Sequence, residues 1–113
     1  MALSKYHNIA GATAQDNELM GIGDLPSRGV KSIHITNTHA SAAATVSLYL
    51  YKDSTDTTSE EFYYILHDVV IPYSVSLALD NSDILNFDNT SATGYSLHIE
   101  VGSSDTVDVI ISA

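Results

Sequence analysis

Five histidines are the side chains with the most chemistry to offer in this sequence. His34 and His98 each stand on the polar side of an alternating stretch, and they could share a ligand only if those stretches pair. A zinc centre needs three or four donors converging at ~2 Å, and no His-x-His or His-Glu-x-x-His spacing occurs. Solvated or hydrogen-bonded surface histidines are the expectation. His67 differs, because it interrupts the most apolar stretch beside Asp68. A hydrogen-bonded core or edge histidine is expected there, and an interface pH sensor is the sharper reading. Serines and aspartates abound, but there is no Gly-x-Ser-x-Gly elbow and no glycine-rich oxyanion loop after a strand. Glycoside hydrolysis would need two acids ~5–9 Å apart in a cleft. Asp53, Asp56, Glu60, Glu61, Asp80 and Asp83 fall instead in polar connectors, which suits solvation. Asp80, Asn81, Asp83, Asp88 and Asn89 offer hard oxygen ligands around a short apolar segment, yet without the order of a calcium-binding hand. Asn89-Thr90-Ser91 matches a glycosylation sequon, which matters only on an exported chain. The expectation is no catalytic residue, no cofactor and no metal site.

The stronger feature is a surface. In Thr45-Val46-Ser47-Leu48-Tyr49-Leu50-Tyr51 the inward set is Val46, Leu48 and Leu50, so Tyr49 and Tyr51 share the other side. The next stretch is apolar on both sides, with Tyr63, Ile65, Val69 and Ile71 on one and Phe62, Tyr64, Leu66 and Val70 on the other. A sheet face bearing Tyr49, Tyr51, Phe62, Tyr64 and Leu66 is not one that a monomer ordinarily leaves in water. Tyrosine suits such a place, having a large apolar body with a hydroxyl at its tip. Either a partner covers this face, or residues 1–28 fold back over it. Ile9, Met20 and Ile22 are the apolar residues of that segment expected to make the contact.

These residues must be held by strands. Period-two alternation recurs over 32–36, 45–51, 75–79, 95–101 and 106–111, with the apolar run 62–71 and a short segment 84–87 between them. That makes seven candidate strands, with 5–9 a possible eighth. Turn-forming residues separate them: Asn37 to Ser41, Asp80 to Asp83, and the glycines at 94 and 102, which tolerate positive φ. The connector 52–61 has no apolar residue and is expected to be a solvated loop. Short strands at roughly 8–12-residue spacing define an all-β chain, here a single antiparallel β-sandwich of seven to eight strands. Jelly-roll-like and immunoglobulin-like topologies both fit. Residues 1–28 show no sustained period and are read as an N-terminal arm on a sandwich domain of residues 29–113; Gln15 to Met20 could form one helical turn.

Composition narrows the partners. The 113 residues carry 14 acidic and 4 basic side chains, a net charge of -10 that repels phosphate backbones and argues against nucleic acid. No run nears the ~18 apolar residues of a membrane helix. With no cysteine there is no disulfide, thiolate nucleophile or cysteine-ligated zinc. The first residues hold no apolar core of signal-peptide length, so export is not expected.

Several segments carry a resemblance: Ile33-His34-Ile35-Thr36-Asn37-Thr38, Thr45-Val46-Ser47-Leu48-Tyr49-Leu50, Ile71-Pro72 leading into Val75-Ser76-Leu77-Ala78-Leu79, Tyr95-Ser96-Leu97-His98-Ile99-Glu100-Val101 and Val107-Asp108-Val109-Ile110-Ile111-Ser112. Over residues 30–112 the chain resembles small β-sandwich virion proteins of tailed bacteriophages, the capsid decoration (cement), neck, tail and fibre modules. The likeness rests on strand order and rhythm rather than on a diagnostic motif, and residues 1–28 lie outside it. It implies a non-enzymatic structural protein made in the host bacterial cytoplasm and located in the virion. Its partners would be itself, as a trimer or other homo-oligomer, and other virion proteins such as the major capsid protein. Capsid decoration through oligomer and arm contacts is the first expectation. A neck, tail or fibre component is the alternative within the class. A carbohydrate- or receptor-binding sandwich, stacking Tyr49 or Tyr73 on sugar rings, is the alternative outside it. A small hydrolase would require a pocket of converging titratable groups.

Overall fold

The computed structural model describes residues 4–10, 15–24, 30–52, 61–89, 94–102 and 105–112. The acidic connector at 53–60, Thr90 and Ser91 of the sequon, and the glycines at 11 and 29 lie outside them. Eight strands form in chain order: β1 (Ser4–Ala10), β2 (Gln15–Met20), β3 (Ser32–Asn37), β4 (Ala44–Lys52), β5 (Glu61–Ile71), β6 (Ser76–Leu79), β7 (Ser96–Val101) and β8 (Thr106–Ser112). They pair antiparallel in two four-stranded sheets, ordered β1-β8-β3-β6 and β2-β7-β4-β5. The chain is therefore all-β, a single antiparallel sandwich.

The strand order decides the topology. β1 pairs with β8, β2 with β7, β3 with β6 and β4 with β5, as when one long antiparallel ribbon is wound around a barrel-like core. An immunoglobulin sandwich would instead keep several consecutive strands side by side in one sheet. Here β4 and β5 are the one consecutive pair among the eight, so the fold is a jelly roll.

Alternation places the core as the sequence implies. Ile33 and Ile35 of β3 face Val109 and Ile111 of β8 on the inner side of the first sheet, and Val46 and Leu48 face Ile99 and Val101 on the inner side of the second. All eight are essentially fully buried. β5 ends at Ile71 because Pro72 has no N–H with which to continue the ladder.

Residues 1–28 supply one edge strand to each sheet. The helical turn considered for Gln15 to Met20 is instead β2, paired with β7. A register shift between Glu18 and Met20 lets the consecutive residues Leu19 and Met20 both point inward, at 3% and 1% exposure. That bulge is why no period of two is visible there. His7 Nε2–H donates to the Leu19 carbonyl at 2.9 Å and ties the two edge strands together across the sandwich. The segment 84–87, expected as a strand, is not one: its first two residues close a single helical turn, α1 (Ser82–Leu85), and 86–87 are irregular. The Asn81 carbonyl accepts from the Ile84 and Leu85 amides at 3.1 and 3.0 Å, and the turn buries Leu85.

Gly94 and Gly102, which could tolerate a positive φ, do not adopt one. Among the described glycines Gly23 alone has one, at 90°. Gly102 makes room for a side-chain cap: a Cβ there would lie 2.5 Å from Asp105 Oδ2, which accepts the Thr45 amide at 2.9 Å, so the carboxylate would have to swing away. Gly102→Ala is expected to lower stability by about 1–2 kcal/mol by displacing that charged hydrogen bond. In an Asp105→Ala background the same change should cost little, a double-mutant cycle that urea unfolding reads directly.

Candidate functional site: an aromatic sheet face

The two outer faces of the sandwich differ. On the first sheet one row, Tyr6, Ile110, His34 and Ala78, runs across the strands in register. Around it are Asn8, Asp108, Thr36 and Ser76, with Asn8 Nδ2 donating to Asp108 Oδ1 at 2.6 Å and the Thr36 and Ser76 hydroxyls 2.7 Å apart. The face is mainly polar, although the paired Tyr6 and Ile110 are 72% and 41% exposed on it.

The second sheet carries rings. Cross-strand register sets Tyr49 opposite both Tyr64 and His98, and Tyr51 opposite Phe62. Tyr49 lies at the centre, its ring centroid 5.3 Å from Tyr64, 5.6 Å from Phe62 and 5.4 Å from His98, with the imidazole stacked at 19°. Tyr51 packs on Phe62 at 5.1 Å and meets His98 edge-on at 5.3 Å. His67 meets Tyr64 edge-on at 4.8 Å. Tyr49 is buried by these neighbours, while Phe62 and Tyr64 remain 47% and 51% exposed. The face is thus covered in part by its own strands, while the described strands of residues 1–28, β1 and β2, are sheet edges and do not lie over it.

Leu66 does not belong to this face. Ile65 has no opposite residue, so Leu66 pairs with Leu48 and packs against the core. A second register shift places both His67 and Asp68 opposite Ser47 and restores the alternation at Val69. Each inserted residue exchanges the two sides of a strand, which simple counting cannot anticipate. Ser47 holds the second bulge: its hydroxyl accepts the Asp68 amide at 2.9 Å and donates to Asp68 Oδ1 at 3.2 Å, while Asp68 adopts φ 52°. Ile9 and Met20 lie inside this chain's own core, out of a partner's reach unless the sandwich opens; Ile22 is half-exposed in the turn after β2.

The histidines divide accordingly. His34 and His98 are in different sheets and cannot share a ligand. His67 is not buried; its side chain is 65% exposed, with Nε2 3.8 Å from Asp68 Oδ2. His39 Nδ1 accepts the Ser41 and Ala42 amides, each at 3.0 Å, and shapes a turn. His98 is the residue that sequence reading placed on an ordinary polar surface and the structure makes central. Nothing in its local sequence marks it, because its neighbours come from β4 and β2.

Glu18, His98 and Ser96 lie together but not as a catalytic triad. Ser96 Oγ donates to the Tyr51 carbonyl at 3.1 Å, so it must accept from His98 Nε2–H at 3.0 Å. Glu18 Oε2 is 3.8 Å from the same nitrogen, whereas a triad uses the two ring nitrogens for its two partners. A nucleophilic serine would have to hand its proton to the imidazole, the reverse of this arrangement. Among the described residues no three His, Asp or Glu side chains group to hold a metal. Of the loop residues weighed for calcium, Asn89 uses its side-chain amide on the Gly21 and Tyr95 carbonyls, at 3.1 and 2.7 Å. No helix among the described residues is long and apolar enough to cross a membrane.

A second ring pair lies at the end of the sandwich. Tyr63 meets Tyr95 edge-on at 5.7 Å, and Lys52 Nζ stands 5.5 Å over the Tyr95 ring. The Tyr63 hydroxyl donates to Glu61 Oε1 at 3.0 Å. That bond, and then the charge of the same carboxylate, raise the Tyr63 phenol above its ordinary value of 10.0. Glu61→Gln should therefore lower the Tyr63 midpoint in an ultraviolet titration; an unchanged midpoint would mean the pair does not persist in solution. By sign, the contribution is present below the unfolded phenol's pKa and is lost as pH rises through the raised folded value.

Fold and site together define a class: a jelly-roll β-sandwich with one mainly polar outer face, which exposes Tyr6 and Ile110, and one outer face of clustered aromatic rings. No family model matches the chain, and no curated protein matches it either.

Proposed function

We propose that this chain is a non-enzymatic structural protein of a tailed-bacteriophage virion, a capsid decoration protein held to the shell through the aromatic face of its second sheet. The observation that carries the reading is the ring cluster on the second sheet, where Phe62 and Tyr64 are half-exposed around a buried Tyr49, whereas the other outer face is mainly polar around the exposed pair Tyr6 and Ile110. The resemblance over residues 30–112 supports it, as those residues span β3 to β8. The jelly roll supports it more weakly, since that architecture serves capsid proteins, lectins and enzymes alike. Many copies each making one modest contact would hold by multivalency, and the net charge of -10 would keep particles dispersed.

The partner on this reading is another virion protein such as the major capsid protein. A trimer or other homo-oligomer is the competing arrangement, and light scattering on the purified chain separates the two. Particles purified from a lysate of the encoding virus should contain the chain in many copies, by quantitative mass spectrometry, and antibody labelling should place it on the capsid. Labelling at the neck or tail would move it within the virion. Absence from particles would sink the proposal.

The second reading is glycan binding, favoured by the half-exposed Phe62 and Tyr64 rings. Tyr49, buried beneath them, cannot stack on a sugar, whereas Tyr73 is 54% exposed. Saturable binding of a neutral oligosaccharide that is lost in Tyr64→Ser or Tyr73→Ser would establish it.

A further inference from the structure

The charges around the aromatic face narrow what can cover it. Its exposed apolar groups are Phe62, Tyr64 and Val70, at 47%, 51% and 59%. Glu18 and Asp68 border them with side chains 58% and 66% exposed, and Glu100 is exposed opposite Ser47. No lysine or arginine occurs in β2, β5 or β7. The one in β4, Lys52, continues the core-facing set of Val46, Leu48 and Leu50 and sits over Tyr95. Among the described residues the border is therefore acidic, with His67 and His98 as its bases.

We infer that the partner of this face is a different protein, one that presents an apolar anchor ringed by lysine or arginine. This rests on the binding role proposed above and names the chemistry of what is bound. Aromatic rings bordered by carboxylates offer a cation two favourable contacts at once, a ring face and an ion pair. A second copy fits poorly, because a two-fold contact through this face would bring the acidic border of one chain, Glu18, Asp68 and Glu100, against that of the other. Like charges brought together in that way oppose association, here between chains of net charge -10. A neutral glycan could use the rings but would leave the acidic border without a counter-charge.

The test is an NMR titration of the isotope-labelled full chain with three probes: an amphipathic leucine–arginine peptide, its leucine–glutamate counterpart, and a neutral oligosaccharide. The leucine–arginine peptide should shift the amides of Glu18, Tyr64, His67 and Glu100 and leave Thr36 and Asp108 of the other sheet unmoved. Its affinity should fall several-fold on going from low to physiological salt. Tyr64→Ser leaves the net charge unchanged and should abolish the response; a retained response would reduce the binding to nonspecific charge attraction and overturn the inference. So would an equal response to the glutamate peptide, a response to the sugar alone, or no response. Shifts of the same amides with protein concentration alone would identify a second copy as the occupant, against the inference. None of these outcomes touches the virion reading, which the composition of purified particles decides separately.

Discussion

Removing residues 1–21 is expected to leave the chain without a cooperative thermal transition. The deletion takes away β1 and β2, and with them Ile9, Leu19 and Met20, which are 5%, 3% and 1% exposed. Each fully buried apolar side chain contributes about 1.5–3 kcal/mol. The three together approach the ~5–15 kcal/mol that holds an ordinary domain folded. The loss does not stop there, since Val107, Val109 and Ile111 of β8 and Leu97, Ile99 and Val101 of β7 would lose their cover at the edges. Circular dichroism on heating, with a sizing column, would show the outcome. A deletion variant that melts sharply as a monomer would mean that the two edge strands are accessory. The same reasoning makes this truncation unsuitable for separating particle assembly from sugar binding, because both would fail with the fold. Tyr64→Ser, at a half-exposed position, is the cleaner tool.

Asn37→Leu is expected to cost about 2–4 kcal/mol. Asn37 is 0% exposed at the end of β3. Its side-chain amide donates to the Ala42 and Ile71 carbonyls, both at 2.9 Å, and its Oδ1 accepts the His39 amide at 2.9 Å. One side chain thus fastens the end of β3, the connector to β4 and the end of β5. Its backbone adds two more links, donating to the Val75 carbonyl at 3.0 Å and accepting the Ser74 amide at 3.1 Å, where Ser74 is held at φ 60°. Leucine matches the volume but leaves the buried Ile71 carbonyl and the part-buried Ala42 carbonyl and His39 amide without their partner, and an unsatisfied buried group costs about 1–3 kcal/mol. Asn37→Asp should be comparably damaging, since it removes both donors and sets a negative charge against two carbonyl oxygens. Urea unfolding should show a lowered midpoint with an unchanged slope. A loss below about 1 kcal/mol would show that water replaces the asparagine in its network.

Asn37 also shows how far local reasoning reaches. As the polar residue ending an alternating strand, it is recognisable as a turn former. That its amide would reach the end of β5 is a long-range fact, and no local pattern contains it. His98 is the same case at the aromatic face. Its alternation with Leu97 and Ile99 marks it as outward, but its stacking on Tyr49 depends on β7 lying beside β4. Leu66 faces the core where counting sets it on the aromatic face, because two bulges in one strand exchange its sides twice within five residues, 65–69.

The sequence by itself determined that this is an all-β sandwich, where six of the strands run, and which residues fill the core between them. Side-chain burial in a strand is a local property with period two, so it is written along the chain. It also determined the surplus of acid, the absence of cysteine and the concentration of tyrosine near 49–64. Only the tertiary structure decided that the order is a jelly roll, that residues 4–10 and 15–20 close the edges of the two sheets, and that the aromatic residues meet His98 and Glu18 on one face. Strand pairing is settled by contacts between residues as far apart as Ser4 and Ser112, whose closure entropy and shared core belong to the whole chain. Bulges, which aim individual side chains, are settled by the partner strand.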